Sequence, residues 1–325
     1  MKTIGTLGER ETIRIIDRIV KSDATIGIGD DCAAIDVGGK YLLVTTDMMV
    51  TKTHIPKGMG PYDIGWSIVA VNLSDIAAMG GRPLGVVTAI GITRGHPIDY
   101  LEQMIDGMND CALRFGTSIV GGDTKEHDDV VLCGTAVGEV PKEQILQRKG
   151  ARPGDLVCVT GSLGRAGAGF YSIKRGLGIK EAEDSLKRPW PRVKEGMALS
   201  ASGIVTSCMD ISDGLSASIF ELSRMSGLTY EIDYAKVPRA KEVDMVYHDV
   251  ERQKDLTLNF GDDYELLFTI KREGEEKLAE LAKQCGCPLT VVGKVTSGEE
   301  NILIDNGMRE RLENLGYEHF RSRQP

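Results

Sequence analysis

Apolar stretches of strand length alternate with amphipathic stretches of helix length through most of this chain, which confines it to the α/β (α+β) class. Ile13, Ile16, Ile19 and Val20 recur at helical spacing and predict a helix over 9–21. A strand over 41–46 follows, then a helix over 62–79 stopped by Gly80-Gly81, with Pro83 just beyond. Residues 84–92 read as a strand, 98–115 as a helix, 118–120 as a short strand and 130–140 as a longer one. The basic, Gly- and Pro-marked stretch Arg148-Lys149-Gly150-Ala151-Arg152-Pro153-Gly154-Asp155 reads as a junction. At 325 residues the chain is too long for one comfortable core, so two domains are expected, 1–147 and 148–325. The second half restarts with a strand over 156–160, a glycine-rich turn over 161–169 and a helix. After a loop marked by Pro189 and Pro191 come a helix over 193–202, a short strand near 205–209 and a helix over 214–226. A strand over 229–232, a helix over 241–252, a strand over 265–270, a helix over 273–285 and a strand over 289–295 complete the pattern.

Many joints of this framework carry acids that no hydrophobic core requires. Five short segments set aspartate beside glycine, threonine or serine: Gly29-Asp30-Asp31-Cys32-Ala33, Thr45-Thr46-Asp47, Asn72-Leu73-Ser74-Asp75, Gly121-Gly122-Asp123-Thr124 and Asp210-Ile211-Ser212-Asp213-Gly214. Small residues allow close backbone approach, and carboxylates with hydroxyls are the hard oxygen donors that suit Mg²⁺ carrying a polyphosphate. Thr45-Thr46-Asp47 closes an apolar strand, where ligand sites gather in α/β folds. Asn72 and Asp75 share one helix face, and it is not the face used by Ile68, Val69 and Ile76, so Asp75 lies either on a solvated helix surface or at a site. Asp123 follows a strand into a flexible turn, as an ordinary turn aspartate or a ligand-facing one, and Asp210 and Asp213 precede a helix start where Ser212 or Asp213 either simply caps the helix or also faces an anion. Two carboxylates ~4 Å apart repel by ~4 kcal/mol at an effective dielectric near 20. Several such pairs would consume the ~5–15 kcal/mol stability of a domain unless divalent cations sat among them. The chain reads as a metal-dependent enzyme acting on phosphates.

The composition narrows the partners. A formal charge of −9, from 48 acids against 39 bases, argues against broad nucleic-acid binding. Seven cysteines are odd in number and scattered, several among apolar neighbours as in Val157-Cys158-Val159, which fits buried free thiols and a reducing cytoplasm. Cys285-Gly286-Cys287 lacks a second pair at zinc-site spacing. The N-terminus has no apolar signal core and no stretch approaches 18 uninterrupted apolar residues, so neither secretion nor membrane insertion is expected.

Other phosphate motifs are weaker. Gly161-Ser162-Leu163-Gly164-Arg165-Ala166-Gly167-Ala168-Gly169 follows a strand but has neither the dinucleotide glycine spacing nor a Walker lysine. It is a plain strand–helix turn or a phosphate-contacting one. No Gly-x-Ser-x-Gly elbow is present. His54 is either a surface loop histidine or a donor to a substrate phosphate. Phe320, in Gly316-Tyr317-Glu318-His319-Phe320, either anchors the C-terminus or covers a flat heterocycle.

Taken in order, Asp30-Asp31-Cys32-Ala33, Thr45-Thr46-Asp47 leading to Thr53-His54, Asn72-Leu73-Ser74-Asp75-Ile76-Ala77-Ala78-Met79-Gly80, Gly121-Gly122-Asp123-Thr124, Asp210-Ile211-Ser212-Asp213-Gly214-Leu215 and Gly261-Asp262-Asp263-Tyr264-Glu265-Leu266-Leu267-Phe268 closely resemble the thiamine-monophosphate kinase family of the aminoimidazole-ribonucleotide synthetase superfamily. The resemblance runs from about residue 5 to 320. It implies ATP-dependent phosphorylation of thiamine monophosphate to thiamine diphosphate by direct in-line transfer with several Mg²⁺ ions. It also implies an N-terminal α/β domain whose sheet pairs with its twin in a homodimer, and a C-terminal α/β domain. By motif position, Asp30, Thr45, Thr46, Asp47, Asp75, Asp210 and Asp213 would hold metal. Gly122, Asp123, Arg148 and Ser212 would address ATP, and His54, Asp262 and Phe320 the thiamine phosphate.

The chain departs from the family pattern at Asp262, where glutamate is usual, and at Lys52, where an acid is more usual. Both departures fall on the acceptor side. A selenophosphate synthetase would need a reactive early cysteine with a nearby lysine, whereas the only early thiol is Cys32, inside an acidic motif. An aminoimidazole-ribonucleotide synthetase would lack Thr53-His54. A non-catalytic ATP–Mg²⁺ sensor and a Rossmann dehydrogenase are the alternatives from other classes.

Overall fold

The computed structural model describes residues 3–320. Its first half contains α1 (Ile4–Leu7), α2 (Glu9–Ile19), β1 (Ala33–Asp36), β2 (Lys40–Val50), α3 (Thr51–His54), α4 (Pro61–Ala78), β3 (Arg82–Ile92), α5 (Ile98–Arg114), β4 (Ile119–Glu126) and β5 (Val131–Pro141). The strands form one sheet in the order β1-β2-β5-β3-β4, antiparallel except for β3 with β4. Leu43, Thr45 and Met49 of β2 are buried, while Thr46 and Met48 on the opposite face are exposed. α4 is buried along most of its length through Ile64, Ile68, Val69, Leu73 and Ile76. It crosses α5 backbone to backbone. A Cβ on Gly65 would collide with the Met104 carbonyl and one on Gly107 with the Tyr62 carbonyl, so only glycine fits at either position.

The second half runs β6 (Leu156–Thr160), α6 (Arg165–Arg175), α7 (Lys180–Lys187), α8 (Val193–Ser202), β7 (Val205–Asp210), α9 (Leu215–Ser226), β8 (Thr229–Asp233), α10 (Lys241–Val246), α11 (Val250–Asn259), β9 (Leu266–Ile270), α12 (Glu275–Cys285), β10 (Leu289–Thr296), β11 (Ile302–Asp305) and β12 (Met308–Arg311). Seven strands make a second sheet ordered β12-β11-β8-β10-β6-β9-β7. One apolar cluster joins Ala78 and Leu146 to Cys158, Leu199, Cys208 and Phe268, so the end of α4 is packed into the core of the second half. Gly196 of α8 lies against the Ala77 carbonyl, where a side chain would not fit.

Several expected boundaries are corrected. β2 continues to Val50, so Thr45-Thr46-Asp47 lies within the strand and not at its end. β4 runs on through Gly121, Gly122 and Asp123, which were expected in a turn. There Gly122 serves close packing, since a Cβ would strike the Thr88 carbonyl of the neighbouring strand. The helix expected over 241–252 is two helices, because the Asp249 side chain accepts from Arg252 N and caps a new start. β1, α7, β11 and β12 are further short elements, and every residue of β12 is exposed. All seven cysteines are free thiols, six of them buried. Among the described residues no helix is long and apolar enough to cross a membrane.

Candidate active site

Four separate pieces of chain bring acids to one place. The loop before β1 supplies Asp30 and Asp31, β2 supplies Thr45 and Asp47, α4 supplies Asp75, and the last residue of β7 is Asp210. Asp31, Asp75 and Asp210 each offer a carboxylate oxygen, and these oxygens lie within 4.8 Å of one another. Neighbouring polar groups orient them. Ser74 Oγ donates to Asp210 Oδ2 at 2.6 Å, and Thr45 Oγ1 donates to Asp75 Oδ2 at 2.5 Å. Asn72, fully buried, accepts from the Asp47 amide at 3.2 Å and donates to the Ile68 carbonyl at 2.8 Å. Arg148 Nη2 donates to Asp31 Oδ1 at 2.8 Å, and Nη1 lies 3.5 Å from Glu221. The Arg148 amide donates to Asp30 Oδ1 at 3.2 Å.

The electrostatics follow from crowding. Burial, then the charges of Asp47, Asp210 and Asp31, holds the Asp75 carboxyl well above the usual carboxylate range. Burial and then the Asp31 charge raise both Asp30 and Asp210, and burial raises Asp47. The Asp213 carboxyl is pushed up to about 7, chiefly by burial and then by the charge of Glu9. Among the described residues, Asp31 Oδ2 is buried with no hydrogen-bond partner. An orphaned carboxylate oxygen beside two further carboxylates is a donor set of hard oxygens suited to a divalent cation.

A pH dependence results. Each raised carboxyl binds more protons in the folded state than in the unfolded chain between the ordinary value of 3.8 and the folded value of about 7. Metal-free stability therefore falls as pH rises through that interval. Magnesium competes with those protons, so its stabilisation grows over the same interval. Melting curves with and without Mg²⁺ should show a larger gain in Tm at about pH 8 than at about pH 5.5. An equal or larger gain at the lower pH would contradict this.

A second set of segments borders the acids. Asp262 N donates to the Ser212 carbonyl at 2.8 Å and Tyr264 N to the Ile211 carbonyl at 3.0 Å, which lays the loop over 261–265 along the stretch holding Asp213. Asp262 and Tyr264 both have left-handed backbone, with φ of 67° and 50°. Desolvation raises the Asp262 carboxyl above its usual range, and the residue itself is exposed. The C-terminal segment arrives from the other side. Tyr317 N donates to the Asp213 carbonyl at 3.0 Å, His319 N donates to Glu9 Oε2 at 3.2 Å, and the rings of His54 and His319 lie 5.2 Å apart. Phe320 is exposed, its ring 6.2 Å from that of His319. His54 Nδ1 accepts from Val50 N at 3.3 Å; burial and then the nearby His319 lower its pKa.

The structure thus brings Asp30, Thr45, Asp47, Asp75, Asp210 and Arg148 together, with Ser212, Asp213 and Asp262 along the next stretch and His54 and Phe320 at the rim. Two expected residues stand apart. The Thr46 side chain is on the opposite face of β2, donating to the Gly134 carbonyl at 2.8 Å. Asp123 is exposed on β4, its carboxylate 3.1 Å from Lys125 Nζ. Gly122 shares a row of the sheet with Thr88, Gly134 and Asp47. Asp31, Ser74, Tyr264 and His319 are the residues of this region that sequence reasoning left out. Asp31 lies in a pair of adjacent acids, and spacing alone does not select between them.

The family model described as AIR synthase related protein, N-terminal domain, matches residues 29–140, and that for its C-terminal domain matches residues 152–306. The chain is 36% identical over 308 residues to the thiamine-monophosphate kinase of Pyrococcus abyssi, covering 94% of each sequence. The chain belongs to the thiamine-monophosphate kinase family. The thiamine-monophosphate kinase of Escherichia coli strain K12 is 33% identical, with 94% of this chain and 96% of that one covered. Among solved structures, AaThiL complexed with AMPPCP and TMP superposes with a TM-score of 0.85 at 27% identity, covering 98% of this chain and 99% of that one.

Proposed function

We infer that this chain transfers the γ-phosphoryl group of ATP to thiamine monophosphate, releasing thiamine diphosphate and ADP. The observation that carries the reading is the junction of buried Asp31 and Asp210 with half-buried Asp75 in one cluster, within a chain of this family. The AaThiL complex, with AMPPCP and TMP bound, supports the same pair of substrates here. Asp31, Asp75 and Asp210 would form the centre of a magnesium site, flanked by Asp30, Thr45, Asp47 and Asp213, while Thr46, on the other face of β2, takes no part. Magnesium held there would neutralise and orient the polyphosphate. Gly122, Arg148 and Ser212 address ATP; His54, Asp262 and Phe320 address the thiamine phosphate. A phosphate acceptor is already ionised at neutral pH, so the chain's own task is to bind, align and exclude water.

The open face of the first sheet, with Met48, Val87 and Val120 exposed, suits pairing with a second copy in a cytoplasmic homodimer. Mass-spectrometric analysis of a reaction with ATP, Mg²⁺ and thiamine monophosphate tests the function. Thiamine diphosphate and ADP should form in equal amounts, and only with both substrates present. Release of ADP with inorganic phosphate alone would refute the assignment.

A further inference from the structure

We propose that Arg192, in the loop between α7 and α8, is the positioning residue for the acceptor side of the site. The inference rests on the reading of Asp262 as a thiamine-phosphate contact. Arg192 makes a two-pronged contact with Glu265, Nε to Oε2 at 2.6 Å and Nη2 to Oε1 at 2.5 Å, while Nη1 donates to Glu195 at 3.2 Å. Glu265 is buried, and it also accepts from Thr160 Oγ1 at 2.5 Å. The Glu265 carbonyl accepts from Ile211 N at 2.8 Å. The neighbouring Asp263 carboxylate accepts from the amides of Gly164, at 2.6 Å, and Ala166, at 3.1 Å. On either side of Asp263 the backbone bends through two left-handed non-glycine residues, Asp262 and Tyr264. Such conformations persist only where the surroundings over-determine them.

Glu265 cannot drift toward the glycine-rich turn without meeting Gly161, where even a Cβ would collide with its carboxylate. On the other side, the loop bearing Arg192 is tied to α4: Trp66 Nε1 donates to the Pro189 carbonyl at 2.9 Å and Ser67 Oγ to the Lys187 carbonyl at 3.1 Å. α4 also carries Asp75. Arg192 therefore fixes the distance between the helix that presents the acids and the loop that presents Asp262. A guanidinium holds a carboxylate in one plane, which an ammonium does not do.

The test compares kcat and both KM values for the wild type, Asp262→Ala, Arg192→Lys and the charge-neutral pair Arg192→Met with Glu265→Gln. KM for thiamine monophosphate should rise about tenfold in both Arg192 variants and in Asp262→Ala, with KM for ATP within about twofold of the wild type. Glu265→Gln keeps the acceptor for Thr160, so the pair is expected to fold. If Asp262→Ala raises that KM but the Arg192 variants do not, or if they raise KM for ATP equally, the positioning role is wrong. If Asp262→Ala leaves KM for thiamine monophosphate unchanged, the acceptor-side reading itself fails. Failure of the charge-neutral pair to fold would also overturn the proposal, because the ion pair would then serve the fold and not the loop.

Discussion

Asp75→Asn is expected to lower kcat by about a thousandfold at saturating ATP, Mg²⁺ and thiamine monophosphate, while the fold survives. The loss corresponds to about 4 kcal/mol of transition-state stabilisation, the scale on which removal of one electrostatic contact acts in a water-poor site. Asp75 accepts from Thr45 and shares its cluster with Asp31 and Asp210. Its carboxylate is held above the ordinary range by burial and by Asp47, Asp210 and Asp31, so its charge opposes folding when no cation is present. An amide of the same shape relieves that repulsion. The metal-free variant should therefore melt no lower than the wild type at about pH 8, and should lose most of the stabilisation that Mg²⁺ confers. Retention of near-normal turnover would show that Asp75 holds no metal. A collapse of the metal-free melting temperature would show that it is a structural acid.

The second large effect separates two adjacent residues. Asp31→Asn should cost about a hundredfold or more in kcat, and Asp30→Asn less than about tenfold. Asp31 contributes an oxygen to the three-carboxylate cluster, and its Oδ2 finds no partner among the described residues. The Asp30 carboxylate is occupied by backbone amides, accepting from Asp31 N at 3.1 Å and Arg148 N at 3.2 Å. Steady-state kinetics on the two purified variants decide the matter. The reverse ranking would make Asp30 the metal ligand and Asp31 the partner of Arg148 alone.

The contrast between these neighbours shows how far a sequence carries. Asp75, Asp210 and Asp47 stand out because small and hydroxylated residues surround them, which an apolar core does not explain. Their meeting is tertiary and leaves no local trace. Asp31 and Asp30 have the same chemistry and nearly the same position, so only the packing of the loop on Arg148 distinguishes them. Sequence position groups Thr46 with Thr45 and Asp47, as if a strand end presented all three. Once β2 is seen to continue to Val50, the alternation of side chains puts Thr46 on the other face. The glycines at 121 and 122 signal a turn by composition, yet one of them is required by the closeness of β3. Arg192 and Glu265, 73 positions apart, meet only because the loop after α7 is pinned to α4. Nothing in either local sequence announces the pair.

All of these expectations depend on a divalent cation at the three clustered carboxylates. The most direct measurement is anomalous scattering from crystals of the protein soaked in Mn²⁺, a surrogate that accepts the same oxygen donors. The expected result is a peak among Asp31, Asp75 and Asp210 that disappears in Asp75→Asn. A map with no peak there, or with the ion bound elsewhere, would contradict it.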